Sequence, residues 1–180
     1  MRPYTARDPE GTYFITSTVV DWIDLFIRQC YHDCLIDSLK HCIEHRGLNL
    51  HAYVIMTSHF HAIVSAKEGC KLPGIIRDLK RFTSKALTDM MKDIPESRRE
   101  WLLEKFQTEA NRTKRGNHYI VWQEGYHAKQ CYSEGFTMQK LNYIHRNPVV
   151  EGWVDKAEDY VYSSARNYMG QSGVIEVELL

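Results

Sequence analysis

Net charge is the first thing this sequence lacks. Its 23 lysines and arginines are matched by 23 aspartates and glutamates, which argues against a protein that coats nucleic acid nonspecifically by neutralising phosphates. No apolar run approaches the roughly 20 residues that a membrane-spanning helix needs. The opening MRPYTARDPEG holds no apolar signal core, so a cytoplasmic location is expected. Cys-x-x-Cys pairs are missing as well. The five cysteines are therefore expected as reduced thiols rather than as a disulfide framework or a zinc site. Internal repeats, low-complexity segments and domain boundaries are also lacking, so residues 1–180 are expected to form one domain.

What is present is a regular alternation of strand and helix patterns. Thr12 to Val20 is dense in β-branched and aromatic residues and predicts a first strand. From Arg28 to His45 the apolar positions Cys34, Leu35, Leu39 and Cys42 recur at three- and four-residue steps, a helix that Gly47 can cap. After Pro73, an apolar stripe from Ile75 to Met90 predicts a second helix. Glu96 to Thr108 predicts a short third. Ala110 to Asn117 is polar, basic and turn-rich, a predicted loop, and His118 to Trp122 predicts another short strand. Glu134 to Asn147 predicts a helix that Pro148 stops, with Met138, Leu141 and Ile144 facing the core. The tail predicts a short helix around YSSARNY and a strand-like VIEVELL.

The most informative stretch is AYVIMTSHFHAIVSA, Ala52 to Ala66. Two apolar runs flank Thr57-Ser58 and read as two strands joined by a tight turn. Side chains alternate along a strand, so His59 and His61 project from one face about 7 Å apart. Two imidazoles that close can share a divalent ion, with Phe60 turned into the core behind them. On the Glu134 helix, Tyr143 and Asn147 are four apart and share a face.

Charge is distributed less evenly than its sum suggests. Lys71, Arg77, Lys80, Arg81 and Lys85 stand against Asp78 alone, whereas the tail from Asp155 is acidic. A basic stretch of this kind is as well explained by a solvated helix face as by a binding surface.

The order strand, helix, strand, strand, helix, strand, helix is that of an α+β ferredoxin-like sandwich. It predicts a central antiparallel sheet with helices packed on one face and an additional C-terminal helix.

SHFHAIV resembles the HUH motif (histidine, hydrophobic, histidine), and LNYIHRNPV resembles the nucleophile helix of single-tyrosine HUH transposases. Within that family the chain is most similar to the REP-associated tyrosine transposase branch. YFIT, AYVIMTSHFH, KLPGIIRDLKRFTSK, VWQEGYHA and the run ending at Val154 carry the likeness over most of the chain. The resemblance implies that Tyr143 is the nucleophile, and that His59, His61 and Asn147 hold Mg²⁺ or Mn²⁺. Its substrate would be single-stranded DNA with hairpins at element ends, cut and rejoined through a 5′-phosphotyrosine. Arg77, Lys80 and Arg81 on the second helix, and Arg112, Lys114 and Arg115 beyond the third, would contact phosphates, with exposed aromatics stacking unpaired bases. Relatives work as monomers or as dimers that share active sites, so both states stay open.

Singly, each of these residues has a plainer explanation: a structural histidine pair, a half-buried tyrosine, an asparagine that ends a helix. Their joint order and spacing favour the functional one. The chain departs from its relatives at Val150-Glu151, where a basic residue is common, and at Ser58, where asparagine is common. Zero net charge is also unusual and would favour weaker, more structure-selective binding. Two other functions are open to the same residues. One is a domesticated hairpin-binding protein that does not cleave. The other is a metal-dependent phosphodiester hydrolase with a carboxylate, Glu124 by spacing, near the histidines.

Overall fold

This computed structural model describes residues 6, 8, 10–113 and 118–180. Four antiparallel strands, β1 (Tyr13–Thr18), β2 (Leu48–Ile55), β3 (His59–Ala66) and β4 (His127–Gln130), form one sheet in the order β2-β3-β1-β4. The sheet is the ferredoxin-like arrangement expected of the element order. Helices α1 (Gln29–His45), α2 (Leu72–Asp93) and α3 (Arg99–Thr113) cover one face, and α4 (Glu134–Val150) lies across the other. A four-residue helix, α5 (Ala165–Tyr168), follows near the C-terminus.

Strand alternation divides the core in two. Tyr13, Ile15, Phe60, Ala62 and Val64 face α1 and α2 and join the larger apolar cluster. Phe14 and Ile63 point the other way and pack with Ala52, Val54 and Met56 against Leu141 and Ile144 of α4. A bulge between Leu50 and Ala52 lets Leu50 and Tyr53 share the larger cluster although they are three residues apart. The free edge of β2 is occupied rather than exposed. Ile55 N–H donates to Tyr162 O at 2.9 Å, Ser164 N–H to Tyr53 O at 3.0 Å and Glu178 N–H to Leu50 O at 3.0 Å. Such cover blunts an edge that would otherwise pair with other chains.

Several elements differ from expectation. His118 to Trp122 is not a strand; it makes a single bridge, Val19 to Trp122, while the fourth strand is His127–Gln130. Val121 and Trp122 are buried past the end of β1; Val121 O accepts from Val20 N–H, and the next residue, Gln123, donates its N–H to Thr18 O, both at 2.8 Å. HAKQ carries no β-branched residue, and only Ala128 is buried. The predicted loop after Ala110 is helical as far as Thr113. No strand forms at VIEVELL, although Ile175 is buried.

Pro148 does not stop α4. It sits inside the last turn, and the helix runs on to Val150 and is closed by Gly152, whose φ is +74°. Gly152 N–H donates to Val149 O and Trp153 N–H to Pro148 O, both at 3.0 Å. That pair of bonds is a Schellman ending, which needs the left-handed residue glycine supplies. At the other end Ser133 caps the helix, its hydroxyl accepting from Phe136 N–H at 3.3 Å. Met138 faces solvent at 44% exposure rather than the core; Leu141 and Ile144 are buried as expected. The five cysteines are unpaired. Among the described residues no helix is long and apolar enough to cross a membrane.

Candidate active site

The face of the sheet under α4 holds the candidate site. β3 turns His59, His61 and Ile63 toward α4, and β1 turns Phe14, Thr16 and Thr18 the same way. His61, Thr16 and His127 form one cross-strand row, because Thr16 pairs with His61 on one side and with His127 on the other. The two imidazoles of β3 are edge to face, with centroids 4.7 Å apart.

Each imidazole is held at Nδ1 by a hydroxyl. Thr16 Oγ1 lies 2.7 Å from His61 Nδ1, and Ser58 Oγ lies 3.1 Å from His59 Nδ1. A hydroxyl that accepts at Nδ1 fixes the tautomer and leaves the Nε2 lone pair open, an arrangement common behind metal-binding histidines. Ser58 thus does for His59 what a longer polar side chain would do at that position.

Tyr143 comes in from α4. Its hydroxyl stands 3.4 Å from His61 Nε2, and its ring meets His61 and Phe14 edge-on at 5.1 and 5.9 Å. The residue is 48% exposed, so a substrate can reach it. Lys140, one turn earlier, holds its ammonium 5.2 Å from the centroids of Phe14 and Phe136 and 5.6 Å from that of Tyr143. These cation–π contacts keep a positive charge beside the tyrosine. Asn147, one turn later, has an amide nitrogen that is buried without a hydrogen-bond partner.

Burial sets the charge state of the site. It pushes His61 down to about 3, with neighbouring His59 and Lys140 adding to the effect. His59 is lowered too, by burial, against the opposing pull of Glu151 and Asp24. Both imidazoles are neutral at pH 7, the form that ligates a metal or accepts a proton.

The donors here fit a divalent ion in two respects: both imidazoles are neutral with Nδ1 engaged by a hydroxyl, and the Asn147 carboxamide has a buried polar atom left unsatisfied. Rotation of that amide exchanges its nitrogen for its oxygen. No group of three or more His, Cys, Asp or Glu side chains able to hold a metal occurs among the described residues. Asn147 stands on the helix that carries Tyr143, one turn further along.

The basic residues expected to meet DNA are scattered. Arg77 and Arg81 are exposed on α2, across the sheet from Tyr143, and share Asp78 as an ion-pair partner. Lys80 turns inward, donating to Gln123 O at 2.7 Å and to Gly125 O. Arg112 sits at the end of α3, paired with Glu109 at 2.6 Å; Lys114 and Arg115 lie outside the described residues. Glu124 stands in the turn that Lys80 holds, within electrostatic reach of Arg112. Lys140, Thr16 and Trp22, all close to the histidines, carry no motif and escape sequence reasoning. Register alone reveals Thr16, and a one-turn step before Tyr143 is the only hint of Lys140.

No family model matches the chain, and no curated protein matches it. A solved REP-associated tyrosine transposase, bound to a REP hairpin, superposes with a TM-score of 0.66 at 17% identity, over 99% of this chain and 92% of that one. The chain has the fold of that transposase. A putative transposase from Deinococcus radiodurans is more distant, with a TM-score of 0.47 at 16% identity over 85% of this chain and 98% of that one.

Proposed function

We propose that this chain is a DNA transposase of the REP-associated tyrosine type, which cleaves and rejoins single-stranded DNA at hairpin-bearing element ends. One observation carries the reading: Tyr143, exposed on α4, meets His61 at 3.4 Å beside a second neutral histidine. The fold shared with a transposase that is bound to a REP hairpin supports it and suggests the same class of partner here.

In this reading the Tyr143 oxygen attacks the scissile phosphorus. The new O–P bond replaces the bond to the 3′ oxygen, which leaves with a proton as a 3′-hydroxyl. The 5′-phosphate stays on the tyrosine, and attack by another 3′-hydroxyl reverses the step. Bond energy is conserved, so no nucleotide cofactor is required. Lys140, whose ammonium stands beside the Tyr143 ring, would balance the charge on the non-bridging phosphate oxygens. Mg²⁺ or Mn²⁺ held by His59, His61 and Asn147 would polarise the same phosphate. Thr16 and Ser58 orient the two imidazoles. Arg77, Arg81 and Arg112 would meet the hairpin backbone only away from the cut, and Lys80 serves first to fix the 123–125 turn.

The test is a denaturing-gel assay with 5′- and 3′-labelled hairpin strands taken from the DNA flanking the gene, with Mn²⁺ present. Label that moves to protein-linked size with the wild type, and not with Tyr143→Phe, supports the transposase. Cutting that survives Tyr143→Phe would replace it with a hydrolase. Binding without cutting across the panel would replace it with a hairpin-binding protein.

A further inference from the structure

Beside the histidines stands an exposed indole on strained backbone. Asp21 and Trp22 have φ of 54° and 55°, and they are the only non-glycine residues with positive φ among the described residues. Left-handed geometry is costly for a residue with a Cβ, the more so for a bulky one, and two in succession persist only where the surroundings impose them. Here the flanks do so. Val19 N–H donates to Ser58 O at 2.8 Å, Val20 N–H to Val121 O at 2.8 Å and Ile23 N–H to Val20 O at 3.2 Å. Val20 and Ile23 are buried anchors, and Lys105 Nζ holds the Asp21 carboxylate at 3.0 Å.

Burial accounts for the anchors but not for Trp22. The turn lifts its side chain out of the core to 60% exposure and sets the ring 5.5 Å from that of His59 at 70°. With that exposure, indole surface stays open to solvent next to the histidines.

We propose that Trp22 is the stacking platform for an unpaired nucleobase adjacent to the scissile phosphate. The inference rests on the reading of the chain as a single-strand DNA transposase. An indole face accepts any base. An indole offers stacking area rather than positive charge, which favours a base over a phosphate; the Asp24 carboxylate two residues on, accepting from the Thr57 hydroxyl at 2.5 Å, adds to that preference, while the Asp21 carboxylate is paired with Lys105. The substrate nucleotide is thereby divided, its phosphate directed to His59, His61 and Lys140 and its uncharged base to Trp22. A base inside a blunt duplex has no free face, so Trp22 distinguishes unpaired nucleotides flanking a hairpin from the hairpin stem.

The experiment is equilibrium binding by fluorescence anisotropy, in a Tyr143→Phe background so that no strand is cut. Labelled hairpins from the DNA flanking the gene are compared with and without their unpaired flanks. Trp22→Leu, which keeps apolar surface without a ring, is expected to lose about tenfold in affinity for flanked hairpins and nothing for blunt ones. Trp22→Phe is expected to stay close to the parent. Equal affinity of Trp22→Leu and the parent for flanked hairpins would overturn the platform and leave the transposase standing, as would an equal loss on blunt hairpins. Failure of the parent to bind any hairpin would remove the transposase reading and the platform with it.

Discussion

The Tyr143 hydroxyl lies 3.4 Å from His61 Nε2 although the two residues are 82 apart in the chain. β3 presents His61 on the face away from α1 and α2, and the Leu141–Ile144 contact with Phe14 and Ile63 seats α4 over it. The result is an exposed phenol, two neutral imidazoles and a lysine on one surface.

If Thr16 holds His61 in the tautomer that leaves Nε2 open, Thr16→Val should keep the shape and lose the function of the contact. Mn²⁺ affinity, read by calorimetry, is expected to fall at least about tenfold, as is usual when a histidine ligand loses its outer partner. The melting temperature should change little. An unchanged affinity would show that Thr16 does not orient the ring.

Buried neutral histidines make the metal-free protein sensitive to acid. His61 is pushed down to about 3 and His145 to about 4 by burial, against an unfolded value of about 6.5. A lowered folded pKa gives stability that is complete above the unfolded value and is lost as pH falls toward the folded one. Each group then costs about 1.4 kcal/mol per pH unit within that window. In EDTA, Tm is expected to drop steadily from pH 6.5 to 5, with a shallower slope for His145→Gln. A flat profile over that range would contradict the burial argument.

One serine bridges α4 and the sheet beside the apolar contact of Leu141 and Ile144. Ser164 Oγ accepts from Tyr53 N–H at 2.9 Å and lies 2.9 Å from His145 Nε2, with no exposed surface. Ser164→Ala strands both partners in the core, at a cost of about 2 kcal/mol, or about 6 °C in Tm. DNA cleavage should weaken as well, since His145 sits two residues from Tyr143. A variant as stable as the parent would mean that water replaces the hydroxyl at both partners.

Much of this architecture can be read from the chain before any coordinates. His59 and His61 share a face because strands repeat every two residues, and Tyr143 and Asn147 share one because helices nearly repeat every four. The element order leads to the right sheet. What periodicity misses is whatever depends on distant partners. HYIVW has the composition of a strand but packs past the end of β1, while HAKQ, with hardly any strand signal, forms the ladder from Thr16 outward. Pro148 suggests a helix end, yet the last turn accommodates it at the loss of one backbone bond and Gly152 closes the helix. Lys140 and Thr16 belong to the site only through cross-strand register and the seating of α4. Trp22 reaches it through a left-handed turn that no local pattern encodes.

The central claim is that Tyr143 becomes covalently joined to DNA, and a mass spectrum addresses it most directly. The protein is incubated with hairpin DNA from its own flanking sequence and Mn²⁺, digested with nuclease and trypsin, and its peptides are weighed. The account predicts that the peptide Leu141–Arg146 carries a 5′-linked nucleotide on Tyr143. Cleaved DNA with that peptide unmodified would contradict it.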